Sequence, residues 1–171
     1  MKKYLLSIFF CSISINAFAE SKILYLDINF LLQQSEAGKY INNELIKISK
    51  KNNADYKKIE NSIKTEEENI LKQKNLLKEE EFNLKVSEFK NKYNSYIKLK
   101  KSNNDKLINL RDKANKKILI NINDIVTEYS INNEVSLVLE KKNIVLGKTD
   151  LDITDEIFIL LNKKIKKVEL E

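Results

Sequence analysis

The 171-residue chain has no proline, no tryptophan and no histidine, and holds two glycines, one cysteine and a single arginine, Arg111. Each absence excludes something. With no histidine, and with its only cysteine at Cys11, it has no material for His- or Cys-based metal centres or for Ser-His and Cys-His nucleophilic pairs. Gly38 and Gly147 are too few for a glycine-rich phosphate cradle. A lone arginine leaves little capacity for bidentate phosphate or base contacts, so no nucleic acid is expected as a partner despite a net charge of +6. Carboxylate runs exist at Glu66-Glu67-Glu68 and Glu79-Glu80-Glu81, but consecutive residues of a helix point in different directions, so they read as solvated faces and not as an acid/base pair. No catalytic residue, cofactor or metal ligand is expected, and the chain reads as a non-enzyme.

The scarcity of glycine and proline also sets the fold. Between Gly38 and Gly147 neither residue occurs, and a stretch dense in Lys, Glu, Asn, Leu and Ile cannot supply the tight turns of a sheet domain. Residues 35–129 read as long helix. In the second half, Phe82, Val86, Phe89, Tyr93, Tyr96, Lys100, Asn103, Leu107, Leu110, Ala114, Ile118, Ile122, Ile125 and Tyr129 step by threes and fours, a heptad seam with one slip near Ile118. In the first half a stripe runs through Ile41, Leu45, Ile48, Tyr56, Ile59, Ile63, Ile70 and Leu77, interrupted by Asn52, Glu66 and Gln73. The stripes lose phase over 76–81. A reversal with its tip at 77–81 would lay the halves together as an antiparallel coiled-coil hairpin, each arm helix about 65 Å long at about 1.5 Å per residue.

At the N-terminus, Lys2 and Lys3 precede an apolar run over 4–15, and Ala17-Phe18-Ala19 supplies a small-x-small cleavage pattern. Residues 1–19 therefore read as a secretory signal peptide, with Glu20 opening the mature chain. Cys11 lies inside that signal, so the mature protein is expected to have neither disulfide nor free thiol. Residues 20–34 and 130–171 form a small β-rich body. In it, 22–27 (KILYLD) is a strand apolar on both faces and 28–34 one or two helical turns. Ser35 caps the long helix, with Glu36 in its first turn. Further strands are expected at 135–140 (VSLVLE) and 144–146, the latter ended by Gly147, and Thr154 or Asp155 caps a last helix. Some sixty residues without disulfides barely support a core, so open strand edges should be completed by other copies of the chain.

The order of these pieces carries a resemblance. KILYLD and a helical turn (INFLLQQ) follow an export signal, SEAGK opens the hairpin, and VSLVLEKKNIVL and DITDEIFILLN close the chain. The sequence resembles the Skp/OmpH family of periplasmic chaperones over essentially the whole mature chain. The resemblance implies an α+β homotrimer: a β-rich trimerisation body, helical tentacles around a cavity, and ATP-independent holding of unfolded outer-membrane β-barrel proteins in the periplasm. By that resemblance the oligomer body would use Ile23, Tyr25, Leu26, Val135, Leu137, Leu139, Ile144 and Leu146. The composition departs from the family in being lysine- and asparagine-rich and arginine-poor.

Charge makes such holding physically sensible. Residues 36–81 balance ten lysines with ten carboxylates, whereas 82–117 set eleven basic residues against three acids. A basic helix on each arm would attract acidic polypeptides, and anionic lipid or lipopolysaccharide, through a field damped beyond about 8 Å at physiological salt. The client-facing residues would be Lys85, Lys90, Lys92, Lys98, Lys101 and Lys106, the other reading being a merely solvated face. Phe82, Phe89, Tyr93 and Tyr96 read first as seam core. A seam broken by Glu66, Gln73, Lys100 and Asn103 would also flex at its distal end and offer these rings to a client. The competing function class is a structural coiled-coil adaptor of the cell envelope, and the scarcity of glycine argues against the β domains such adaptors carry.

Overall fold

The computed structural model describes residues 21–171, so the export signal read over 1–19 lies outside the described residues. Strand β1 (Lys22–Leu26) leads into helix α1 (Ile28–Gln34), then α2 (Glu36–Gln73), α3 (Glu79–Asn132), strand β2 (Val135–Glu140) and helix α4 (Thr154–Lys164), with short 3-10 turns at Lys141–Asn143 and Thr149–Leu151. The fold is α+β, mostly helical, with two long helices forming a hairpin.

Local chemistry sets the helix starts. The Asp27 carboxylate accepts from the Phe30 amide at 2.9 Å and caps α1. Ser35 serves two helices: its amide closes α1 onto the Leu31 carbonyl at 3.2 Å, and its hydroxyl accepts from the Gly38 amide at 3.1 Å. The expected Ser35 cap is thus found, with Glu36 in the first turn. At roughly 1.5 Å per residue, the 38 residues of α2 span about 57 Å and the 54 of α3 about 81 Å. The extra length of α3 lies at its C-terminal end, where it packs on α4 and β2.

The hairpin turns slightly earlier than the 77–81 expected. α2 ends at Gln73 and α3 begins at Glu79, with Leu76 and Leu77 amides both donating to the Gln73 carbonyl at 3.0 and 3.1 Å. Glu79, Glu80 and Glu81 are not the turn. They are the first turn of α3, where three carboxylates meet the helix dipole in place of a side-chain cap.

The hairpin returns the chain so that β2 pairs with β1 in parallel, Ile23 opposite Leu137 and Tyr25 opposite Leu139. A parallel pair needs a long crossover, and here the whole hairpin is that crossover. Leu24 and Leu26 point into a core shared with Leu31, Ile118, Ile157 and Leu161, the last four fully enclosed. The third strand is a correction. Residues 144–146 form no strand among the described residues: Ile144 is half-buried, while Val145 and Leu146 are open to solvent. The chain leaves β2 through the 3-10 turn at Lys141–Asn143, and 144–146 do not return to pair with its open edge.

The cap of α4 is also corrected. Neither Thr154 nor Asp155 caps it; Asp152 accepts from the Thr154 amide at 3.0 Å and from its hydroxyl. The Thr154 hydroxyl oxygen in turn accepts from the Asp27 amide at 2.9 Å, and the Lys141 ammonium donates to Asp152 at 2.7 Å. Asp152 thus ties the start of α4 to the residue after β2, and the Thr154 hydroxyl carries the link on to the root of α1. Burial alone would raise the pKa of Asp152, but the bonds from Lys141 and Thr154 outweigh it and hold the group below the ordinary carboxylate value. A lowered folded pKa means stability that is complete above the unfolded value of about 3.9 and lost as pH falls through the lowered one. Asp152→Asn should cost about 1.5–3 kcal/mol at neutral pH, as for hydrogen bonds to a charged group. Its urea midpoint should also fall less between pH 5 and pH 2 than that of the wild type; equal slopes would show that Asp152 does not report on folding.

Candidate functional site

The seam read from sequence is the interface of the hairpin. Ile41, Leu45 and Ile63 of α2 are buried with Tyr96, Ala114, Ile118, Ile122 and Ile125 of α3. The polar interruptions Asn52, Glu66 and Gln73 also face inward, being half-buried among exposed neighbours.

Burial weakens toward the tip. Of the four seam aromatics, Tyr96 is 6% exposed, Phe82 and Phe89 are half-buried, and Tyr93 is 46% exposed. Leu71, Leu76 and Leu84 near the turn are largely exposed, and so are Ile97, Leu99 and Ile108 along α3. Mid-arm, the gap in apolar packing is filled by a polar cluster that sequence reasoning missed. The Tyr56 and Tyr96 rings meet edge-on at 6.1 Å, the Lys100 ammonium lies 5.5 and 5.3 Å from their centroids, and the Tyr96 hydroxyl donates to Glu60. Glu60 also pairs with Lys100 at 3.6 Å. Burial first, and the Glu60 carboxylate second, push the Tyr96 phenol above its usual pKa. Contact with Tyr96 raises Lys100, and the nearby Glu60 carboxylate adds to it. The only sequence signal was that Lys100 fell on the seam.

The lysines divide into two groups. Lys92 pairs with Glu66 and donates to the Ser62 hydroxyl at 3.0 Å, so it fastens α3 to α2. Lys85, Lys90, Lys98, Lys101 and Lys106 are exposed and enter no ion pair among the described residues. Lys98, Lys101 and Lys106 flank an open groove of 560 Å³ on α3, with Lys113, Leu110 and Asp105. Along α3, cations thus stand on a rim beside their own apolar stems and exposed Ile97 and Ile108. Among the described residues no group of acidic, histidine or cysteine side chains is placed to hold a metal ion, and no helix is long and apolar enough to cross a membrane.

The residues assigned to the body gather at the other end. Parallel register puts Ile23, Tyr25, Leu137 and Leu139 on one sheet face. Tyr25 is covered, its hydroxyl donating to the Lys148 carbonyl at 3.1 Å with Lys141 over its ring. Ile23, Leu137 and Leu139 remain 45%, 48% and 39% exposed. Leu26 lies on the opposite face, in the core; Val135 is half-buried. Leu146 and Val145, beside the glycine that packs on Tyr25, extend the exposed apolar surface.

A family model described as outer membrane protein (OmpH-like) matches residues 22–161. The chain belongs to the OmpH-like family. The match takes in β1, both arm helices, β2 and most of α4. A crystal structure described as an OmpH-like outer membrane chaperone from Caulobacter crescentus superposes with a TM-score of 0.78 at 16% identity, covering 90% of each chain. At that identity it shows the shared fold. No curated protein matches the sequence. The OmpH-like hairpin and strand pair thus agree with the architecture expected from the sequence.

Proposed function

We propose that this chain is an ATP-independent holdase of the periplasm, reached through a cleavable export signal, that keeps unfolded outer-membrane β-barrel proteins from aggregating. In this reading it acts as a homotrimer, without catalysis or cofactor, holding a client between helical arms. The observation that carries the reading is the surface of α3. Exposed Lys90, Lys98, Lys101 and Lys106 alternate along a projecting helix with exposed Tyr93, Ile97, Leu99 and Ile108, so a client meets charge and apolar area together. Unfolded chains that must stay soluble yet unfolded are held by many weak contacts, and lysine stems supply both kinds. Anionic lipid or lipopolysaccharide would be drawn to the same helix.

The test is charge reversal. Lys90→Glu, Lys98→Glu and Lys101→Glu together should slow capture of a urea-denatured outer-membrane porin by about tenfold or more, as loss of steering does. The mass of the assembly should not change, and wild-type capture should weaken as salt rises. Unchanged capture by the triple variant would reject the electrostatic mechanism. Stable fixation of the protein in an envelope complex would favour a structural role instead.

A further inference from the structure

Beyond α4 the chain leaves helical geometry at Ile165 (φ −143°, ψ 128°), and residues 165–171 run without helix or strand over the base of the arm. The end of this strap alternates. Val168 is 4% exposed in the core and Leu170 packs against the same core, while Glu169 and Glu171 face solvent. Three contacts tie it to the hairpin: Lys166 to Glu36 at 3.8 Å, Lys167 over the Tyr40 ring at 5.7 Å, and Glu171 to Lys117 at 3.5 Å.

Glu171 is also where the α3 groove begins. It lines the same 560 Å³ space as Lys113, Leu110, Lys106, Lys101 and Lys98. At the lower end of this lysine-rimmed groove stands the carboxylate-bearing Glu171 of an extended segment, whose Val168 and Leu170 turn away into the core. Above it the groove holds one acid, Asp105. From Lys98 to Lys113 the helix rises about 22 Å, room for about six or seven residues of extended chain at roughly 3.3 Å each.

We infer that this groove takes extended peptide segments in which apolar and acidic residues alternate, with Glu171 already supplying an acid of that kind at its foot. The inference rests on the holdase reading and gives it a client chemistry. Strand segments with one apolar and one acidic edge satisfy the lysine stems with the first and the ammonium rim with the second.

The full chain, titrated with a labelled peptide of repeated Val-Glu-Leu-Glu units and followed by fluorescence anisotropy, tests this. The Val-Gln-Leu-Gln and Gly-Glu-Gly-Glu counterparts should each bind about tenfold more weakly, since each lacks one half of the complementarity. Lys101→Glu with Lys106→Glu should weaken the first peptide by about tenfold, whereas Glu171→Lys, which unties the strap from Lys117, should tighten it severalfold. Equal binding of the Gly-Glu peptide would reduce the groove to a general anion surface, and equal binding of the Gln peptide would remove the lysines from recognition. Either overturns the inference, as does an unchanged Lys101/Lys106 variant. Aggregation of a denatured porin, measured alongside, separates the two levels. If the wild type protects the porin but the peptides are not told apart, the groove falls and the holdase reading stands. If the peptides are told apart without protection, the holdase reading falls and the groove stands.

Discussion

Replacing Leu137 and Leu139 together by aspartate is expected to turn the proposed oligomer into a monomer and to abolish protection of a porin client, with helix content unchanged. The expectation follows from where the two side chains sit. The inward face of the strand pair, with Leu24, Leu26 and Val138, belongs to the core and is not touched by the exchange. The outward face presents Ile23, Leu137 and Leu139, continued by fully exposed Val145 and Leu146. Exposed apolar side chains gathered on one face of a two-stranded sheet fit the association proposed above. Burying one leucine against another chain contributes about 1.5–3 kcal/mol, and an unpaired aspartate in the same place reverses the sign. Two substitutions per chain, repeated in every copy, should shift association by several orders of magnitude. Sedimentation or light-scattering mass gives the answer directly. Leu84→Asp, on exposed arm surface, is the control and should leave the mass unchanged. An unaltered mass in the double variant would mean that the copies do not meet through this face.

The long-range plan was legible in the sequence because a heptad seam is a periodic signal. Ile41, Leu45 and Ile63 face Tyr96, Ala114 and Ile118 as the spacing requires, and even the polar interruptions Asn52 and Glu66 point inward. Ser35 was legible as a cap because its side-chain oxygen acts within three residues. What could not be read depends on partners far apart in the chain. Asp152 caps α4 while holding Lys141, and Thr154 spends its hydroxyl on Asp27. Nothing local marks that exchange. Residues 144–146 have a strand's composition but make no ladder, because the path of the chain after β2 is a property of its neighbours and not of residue type. Lys92 and Lys106 look alike in a charge count, yet Glu66 and Ser62, on the facing helix, take the first and leave the second free. The hairpin tip came a few residues early because Leu76 and Leu77 close onto the Gln73 carbonyl without glycine or proline to mark the turn.

Gly38→Ala should be the most damaging single change in the body, although in the first turn of a long helix alanine is ordinarily favoured over glycine by about 1 kcal/mol. A Cβ at this position would lie 2.0 Å from the Leu32 carbonyl oxygen, 2.8 Å from the Leu32 carbonyl carbon and 3.2 Å from the Ser35 hydroxyl. Two of the three obstacles are backbone, so no rotamer change relieves them. Nor can α1 retreat easily, since Asp27 caps its start, Ser35 closes its end onto Leu31, and Leu31 is fully enclosed in the core. Overpacking usually costs about 1–3 kcal/mol, and a clash with a pinned carbonyl belongs at the top of that range. For a chain of this size the thermal midpoint should fall by roughly 10 °C. Gly147→Ala offers the contrast: its Cβ would meet the Tyr25 ring edge at 2.8 Å, a side chain that shifts at lower cost than a backbone. The consequence is not confined to the body, because α2 starts at this contact. A tilt of about 3° there would carry the end of its roughly 57 Å length about 3 Å sideways. Gly38→Ala should therefore weaken client protection even below its melting temperature, while Gly147→Ala should leave it intact. A Gly38→Ala protein that melts with the wild type would mean that α1 is not pinned as its contacts require.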